Sequence, residues 1–303
     1  MKITGTFIRA SILQTIKAMR LFSLTLALGA TSMGIIAAWK AGYLVLSDRL
    51  DLLFVILITI AGLAVQCGAN LINDFFEGSF KYHEPGTPVI KFLRRERTYF
   101  DIWIFLLGLM MLGISGLIGL FLVWKTDWIM LAIGLAGVIG SYAYTGEPFV
   151  YKTRGLGVPL SFLLMGPLMV LGAWYPFSMN LSWYPVVFGL PLSLLVPAMM
   201  ISNEMRDFNR DISLDMGTLS NRIGSRASKL LYVVCIAGLF LLTIIYSLSG
   251  IYPLICLGTL ILLVPAWRAW QSINRFEGLG IPRTNRLHLF YMLLSSVLII
   301  LGN

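Results

Sequence analysis

The stretch NLINDFFEGSFKYHEP, residues 70–85, follows a long apolar run and abruptly supplies two asparagines, an aspartate and a glutamate within eight residues. Asn70, Asn73, Asp74 and Glu77 are spaced i, i+3, i+4, i+7, which on an α-helix places all four on one face, about one and two turns apart. Leu71, Ile72, Phe75 and Phe76 flank them. One polar stripe thus ends a helix that otherwise looks made for lipid, and its purpose depends on what surrounds it.

The surroundings are a membrane. Of the 303 residues, 58% are hydrophobic and only 12% charged, with a mean hydropathy of +0.84, whereas soluble domains carry about 25% charged residues. Apolar windows of bilayer-crossing length, roughly 18 to 22 residues, fall near 21–39, 52–72, 102–123, 128–145, 157–175, 184–202, 229–248, 250–267 and 287–302. The expectation is an all-α integral membrane protein with nine transmembrane helices, forming one domain over residues 1–303.

The formal charge of +9 raises the question of a nucleic-acid partner, and the placement of the charges answers it. The N-terminus and the loops after the second, fourth, sixth and eighth spans hold 20 of the 23 Lys and Arg, leaving Lys40, Arg49 and Lys125 opposite. That alternation follows the positive-inside rule, so the N-terminus and these loops are expected in the cytoplasm and Asn303 outside. The partner of the basic residues is then the lipid bilayer, and no patch remains for nucleic acid. Cys67, Cys235 and Cys256 lie in apolar segments without paired spacing and read as small core residues. The first apolar run lacks a small-residue cleavage site and is expected to stay as a span.

The sixth span ends as the second does. In SNEMRDFNRD, Asn203, Asp207 and Asp211 are spaced by four, and Asp215 continues the interval if the helix lasts that long. Matching clusters four helices apart suggest two four-helix halves and a ninth helix, a parallel duplication of a kind known in membrane proteins. A charged carboxylate near hydrocarbon costs about 2.5–3.5 kcal/mol on insertion scales, so such groups usually face a cavity or a partner. A single cluster could be a helix end emerging among headgroups. Two clusters of matching composition on the same side argue for a site. Carboxylates with asparagine carbonyls are hard oxygen donors suited to Mg²⁺, which keeps several waters and bridges to substrate phosphates.

Basic residues nearby suit a phosphate-bearing substrate, although most of them also serve topology and anionic lipid. Arg20, directly before the first span, Lys81, and Arg154 in YKTRGLG stand out; Gly155 and Gly157 there allow a ligand to approach the backbone closely. Tyr142 and Tyr144, in SYAYTGEP, precede that loop. Interfacial tyrosines commonly form aromatic belts, and their π-faces could also stabilise a carbocation.

These residues carry a resemblance. KAMRLFSLT, NLINDFFEG, PGTPVIKF, YTGEPFVYKTRGLG, FLLMGPLMVLGAWY and NEMRDFNRDISLDMGTLSNRIG are similar, over nearly the whole chain, to the UbiA superfamily of intramembrane prenyltransferases, and within it to the 1,4-dihydroxy-2-naphthoate polyprenyltransferases of menaquinone synthesis. The resemblance implies nine helices around a central cavity with the acidic motifs at its cytoplasmic mouth, in the cell membrane. It implies Mg²⁺ as cofactor, held on an isoprenyl pyrophosphate by Asn70, Asp74, Glu77, Asn203, Asp207 and Asp211, with Asp74, Asp207 and Asp211 central to catalysis. Arg20, Asn73 and Lys81 would contact pyrophosphate, and Arg154, Tyr142 and Tyr144 the aromatic acceptor; no obligate protein partner is implied. The chain departs from the naphthoate enzymes at Asp215-Met216, where they usually have Gly-Lys, at Val158, where they often carry an acid, and at Leu21, where proline is common. Three other readings are open: a prenyltransferase of the same type with another aromatic or polar-lipid acceptor, an ion-coupled transporter, whose intramembrane acids would bind a cation, and a paralogue that keeps the fold without efficient turnover.

Overall fold

The computed structural model describes residues 5–77, 88–93, 95–276 and 278–302, with side chains from residue 12 onward. Lys81 lies outside the described residues. The helices are α1 (Gly5–Met19), α2 (Leu24–Lys40), α3 (Arg49–Glu77), α4 (Tyr99–Lys125), α5 (Trp128–Ala143), α6 (Gly157–Leu163), α7 (Met169–Ser178), α8 (Trp183–Ser193), α9 (Leu195–Ser213), α10 (Leu219–Leu248), α11 (Leu263–Asn274) and α12 (Gly280–Leu301). A π-helical turn, Leu164–Leu168, joins α6 to α7, and a run of 3-10 turns, Leu254–Leu262, leads into α11.

Eight helical segments among the described residues are long and apolar enough to cross a bilayer. The ninth expected span is α5, whose 16 residues rise only about 24 Å at 1.5 Å per residue, less than the hydrocarbon thickness of about 30 Å. Its position still agrees with the ninefold reading of the hydropathy. Trp124, Trp128 and Trp183 are all more than 70% exposed at one end of the bundle, where amphipathic rings sit at headgroup level.

Local chemistry sets the helix starts. Thr98 and Asp101 form a reciprocal capping box on α4, with Asp101 N donating to Thr98 Oγ1 at 3.1 Å and Thr98 N donating to Asp101 Oδ2 at 3.0 Å. Asp127 caps α5 and Ser182 caps α8 by accepting from backbone N–H two residues on. The loop before α4 holds one element that hydropathy did not show, an antiparallel hairpin of β1 (Val89–Phe92) and β2 (Arg95–Thr98). It delivers Arg97 into the protein, where the guanidinium lies 4.3 Å above the Phe75 ring and donates to Phe75 O at 2.8 Å. That bond satisfies one of the carbonyls left open at the end of α3.

Small residues allow the helices to close on one another. A Cβ on Gly68 of α3 would stand 2.9 Å from Gly108 O of α4, so the two backbones pack directly. The main core, around Met33, Trp174, Phe188, Leu239 and Tyr291, joins α2, α7, α8, α10 and α12. Hydroxyl pairs tie it across helices: Thr243 to Tyr291 at 2.6 Å, Tyr232 to Thr284 at 3.0 Å and Ser202 to Thr284 at 2.9 Å. Cys67, Cys235 and Cys256 are buried free thiols within these clusters.

Candidate active site

Side chains of α3 and α9 line one cavity of about 480 Å³. From α3 come Gln66, Asn70 and Asn73, from α9 Met199, Met200, Asn203 and Arg206. Arg20 and Ser23 close one side, Tyr144, Tyr151 and Ser161 another, and Asn285 and Arg286 of α12 a third. Asn70 and Asn73 of the first motif and Asn203 of the second thus line one cavity, whereas Asp74, Glu77, Asp207 and Asp211 are not among its lining residues.

Arg20 is held with positive φ, 50°, between α1 and a 3-10 turn, and this directs its guanidinium to α3. Its Nη2 lies 3.1 Å from Glu77 Oε2. Asn73, with its amide oxygen toward Arg20, accepts from both guanidinium Nη atoms at 2.9 Å and donates to Glu77 at 3.3 Å. The Lys152 ammonium bonds the other Glu77 oxygen. Glu77 is thus bracketed by two cations. Asn70 ties the turn before α2 to α3, donating to Met19 O at 2.8 Å and Ser23 Oγ at 2.7 Å. Asp74 is half-buried on the same helix face.

On α9, Asp207 takes two bonds from Arg206, at 2.8 and 2.6 Å, and lies 3.2 Å from Arg210. Asp211 is buried and accepts from Arg210 at 2.9 Å. The charge of Glu77 reaches both Arg206 and Arg210 across the mouth, and that of Lys152 reaches Glu204 and Asp211. Asp215 does not extend the stripe, because α9 ends at Ser213 and Asp215 has φ of 51°.

The YKTRGLG loop differs from its sequence reading. It begins with a 3-10 turn, Tyr151–Arg154, after Val150 at φ 41°. Tyr151 and Lys152 turn inward, whereas Arg154 is exposed and donates to Pro148 O at 3.1 Å. Gly155 gives room to protein, since a Cβ there would stand 2.6 Å from Arg222 Cδ. Burial lowers the Lys152 pKa, but Tyr144 and the Glu77 carboxylate outweigh it and the net shift is upward. Burial pushes the Tyr151 phenol well above its ordinary value, so it remains a neutral wall. Tyr144 lines the cavity and packs edge-on to Tyr151 at 5.4 Å, while Tyr142 lies behind it with its hydroxyl 3.3 Å from Glu147 O.

Three site residues were not singled out from sequence: Lys152, Tyr151 and Arg286. The first two adjoin Arg154 and carried a usable signal, a cation and an aromatic in the glycine-flanked loop. Arg286 carried none beyond its basic loop.

Among the described residues, no three His, Cys, Asp or Glu side chains converge to cage a metal. Mg²⁺ does not require such a cage, because it commonly binds through one or two carboxylates plus substrate phosphate. Each helix end supplies that many hard oxygen donors, so the residues fit the ion in that mode.

The pattern of the UbiA prenyltransferase family matches residues 27–294. The chain belongs to that family and is a membrane-embedded prenyltransferase, which sets aside the transporter reading. It is 26% identical to the UbiA prenyltransferase domain-containing protein 1 homolog of Drosophila melanogaster, over 97% of this chain and 80% of that protein. It is 23% identical to the 1,4-dihydroxy-2-naphthoate octaprenyltransferase of Bacillus subtilis, over 67% of this chain and 65% of that enzyme. Its fold matches a UbiA homolog from Aeropyrum pernix K1, with a TM-score of 0.59 at 13% identity over 92% of this chain and 97% of that one. It also matches a structure concerned with digeranylgeranylglyceryl phosphate synthase, at 0.57 and 15% over 97% and 98%.

Proposed function

We propose that this protein, as one domain over residues 1–303, transfers a polyprenyl group from an isoprenyl pyrophosphate to an aromatic acceptor, with 1,4-dihydroxy-2-naphthoate favoured. The observation that carries the reading is that asparagines of both motifs, Asn70, Asn73 and Asn203, line one cavity together with Arg20 and Arg206. The distribution of Lys and Arg supports a mouth on the cytoplasmic side, in this reading that of the cell membrane. The named activity of the Bacillus relative supports the acceptor.

Asp74, Glu77, Asp207 and Asp211, with the amide oxygens of Asn70 and Asn203, would hold Mg²⁺ on the pyrophosphate. Bound there, the ion would neutralise charge on the leaving group as the allylic C–O bond breaks. The chain's own cations serve the same end. Arg20, Lys152 and Arg206 stand at the mouth already oriented by Glu77 and Asp207, and donors fixed before reaction cost no reorganisation as charge develops. They bond the acids here, and would be available to pyrophosphate oxygens if the carboxylates were engaged by Mg²⁺. Tyr144 and Tyr151 offer π-faces below the mouth, where an allyl cation would be exposed to them. Arg286, in the cavity wall, is better placed than the outward-facing Arg154 to hold an acceptor carboxylate.

Membranes containing the protein, given isoprenyl pyrophosphate, dihydroxynaphthoate and Mg²⁺, are expected to form prenylated product, and EDTA is expected to stop it. Product that survives EDTA would refute the metal-held leaving group. A panel of aromatic acceptors with one donor tests the naphthoate preference, and faster turnover of a different acceptor would reassign it.

A further inference from the structure

The loop that carries Lys152 is held by the segment that follows the second acidic motif, and the two meet at glycines. A Cβ on Gly217 would stand 2.7 Å from Thr153 O, one residue beyond Lys152, and a Cβ on Gly155 would stand 2.6 Å from Arg222 Cδ. The Gly217 Cβ would also meet Arg222, at 2.8 Å from one guanidinium nitrogen. Arg222 therefore lies in a notch between the two glycines, where its Nε donates to Gly217 O at 2.9 Å. Gly155 has φ of 79°, which side chains rarely adopt, so glycine serves both the turn and the notch.

Arg222 belongs to a short turn fastened to α9 rather than to the lipid-crossing length of α10. Gly224, at φ 81° and ψ 160°, interrupts α10, and residues 219–223 form the turn ahead of it. Glu204, next to Asn203 on α9, is buried, and its Oε2 accepts from Ser220 N at 2.8 Å. That bond satisfies a backbone donor left open at the start of α10. Asn221 Nδ2 donates to Met216 O at 2.8 Å, and Met216 N donates to Asp211 O at 2.8 Å. Hydrogen bonds thus run from the second motif through residues 216–222, and the notch passes the constraint on to residues 153–155. Arg222 is exposed and is not among the residues lining the cavity, so its place in the site is beside the loop and not at the ligand.

Resting on the reading of Lys152 as the inner cation of the proposed prenyl transfer, we propose that Arg222 is a positioning residue for Lys152. Its aliphatic stem fills the Gly155–Gly217 notch and keeps the loop from sliding, so that the Lys152 ammonium stays on Glu77 at the mouth.

The test measures donor kcat/KM per folded protein, at saturating acceptor and with Mg²⁺, together with the thermal midpoint in detergent. The variants are Arg222→Ala, Arg222→Met, Lys152→Met and the double variant Arg222→Ala/Lys152→Met. Displacing a positioning group by about 1 Å can cost about a hundredfold; emptying the notch in Arg222→Ala is expected to lower kcat/KM about tenfold. The midpoint is expected to stay at the wild-type value, because exposed side chains carry little stability. Arg222→Met keeps the stem and is expected to recover most of the loss. In the Lys152→Met background, Arg222→Ala is expected to change kcat/KM by less than about twofold, since residues that act through one another are not additive. Arg222→Ala within about twofold of wild type overturns the proposal. An equal fall in both backgrounds, or Arg222→Met as damaged as Arg222→Ala, also overturns it and makes Arg222 a cation that acts on the pyrophosphate directly. Lys152→Met within about threefold of wild type would instead overturn the reading on which the proposal rests, and the proposal with it.

Discussion

Lys152→Met separates the two cations of the YKTRGLG loop. Lys152 has a side chain only 14% exposed and bonds Glu77, itself 24% exposed, while Arg20 on the other side of Glu77 is 40% exposed. Methionine keeps most of the length and apolar volume, so the change removes chiefly the charge. A hydrogen bond to a charged group contributes about 1.5–3 kcal/mol, and each 1.36 kcal/mol is tenfold in rate. If Lys152 transfers that bond to pyrophosphate in the reaction, kcat/KM for the donor falls roughly 10- to 150-fold. Arg154→Met removes an exposed side chain bonded to one backbone carbonyl, and surface changes of that kind cost within about 0.5 kcal/mol, or roughly twofold. Both variants are assayed in membranes at saturating acceptor with varied donor. Lys152→Met within about threefold of wild type, or Arg154→Met the more damaged of the two, would refute the placement of Lys152 as the inner cation.

Further outcomes follow from the same geometry. Gly68→Ala drives a methyl to 2.9 Å from the Gly108 carbonyl, so thermal unfolding in detergent should show a loss of about 1–3 kcal/mol; an unchanged midpoint would mean that α3 and α4 separate freely. Thr98→Ala removes the hydroxyl that accepts from Asp101 N, while the backbone bond from residue 98 to Asp101 can persist, and should cost about 1 kcal/mol by the same measurement. The raised Lys152 pKa means that its stabilising charge is fully present below the ordinary lysine value of about 10.4 and is lost only as pH rises through the higher folded value. Lys152 therefore contributes no slope to rate or stability between pH 7 and 9, and a limb in that window present in wild type but absent in Lys152→Met would contradict the pairing. Met216→Lys restores a cation close to the end of α9; if Lys152 and Arg206 already suffice at the mouth, turnover should change by less than about threefold.

The spans were legible because bilayer thickness imposes a length, and lipid and loop charge impose a composition, both readable without tertiary contacts. The motif faces were legible for a similar reason: i, i+3, i+4, i+7 spacing fixes a stripe, and the structure brings Asn70, Asn73 and Asn203 to one cavity. The partners of the acids were not legible. Glu77 is neutralised by Arg20 and Lys152, 57 and 75 residues away in sequence, and neither separation leaves a local pattern. The choice of Arg154 over Lys152 turned on direction within one 3-10 turn, where residues two apart point to different sides. That turn is set by Val150 at positive φ, a conformation rare for a β-branched residue. The β1–β2 hairpin was hidden because its strands have only four residues each and carry charges on exposed positions.

The two acidic helix ends serve one pyrophosphate only if the loss of either abolishes what the other does. The affinity of an isoprenyl pyrophosphate for the protein, measured with Mg²⁺ and again with EDTA, should show a metal-dependent gain in wild type. Asp74→Asn and Asp207→Asn should each remove that gain while leaving the protein folded. If either variant keeps the wild-type gain, the two ends do not share a ligand and the account of this site is wrong.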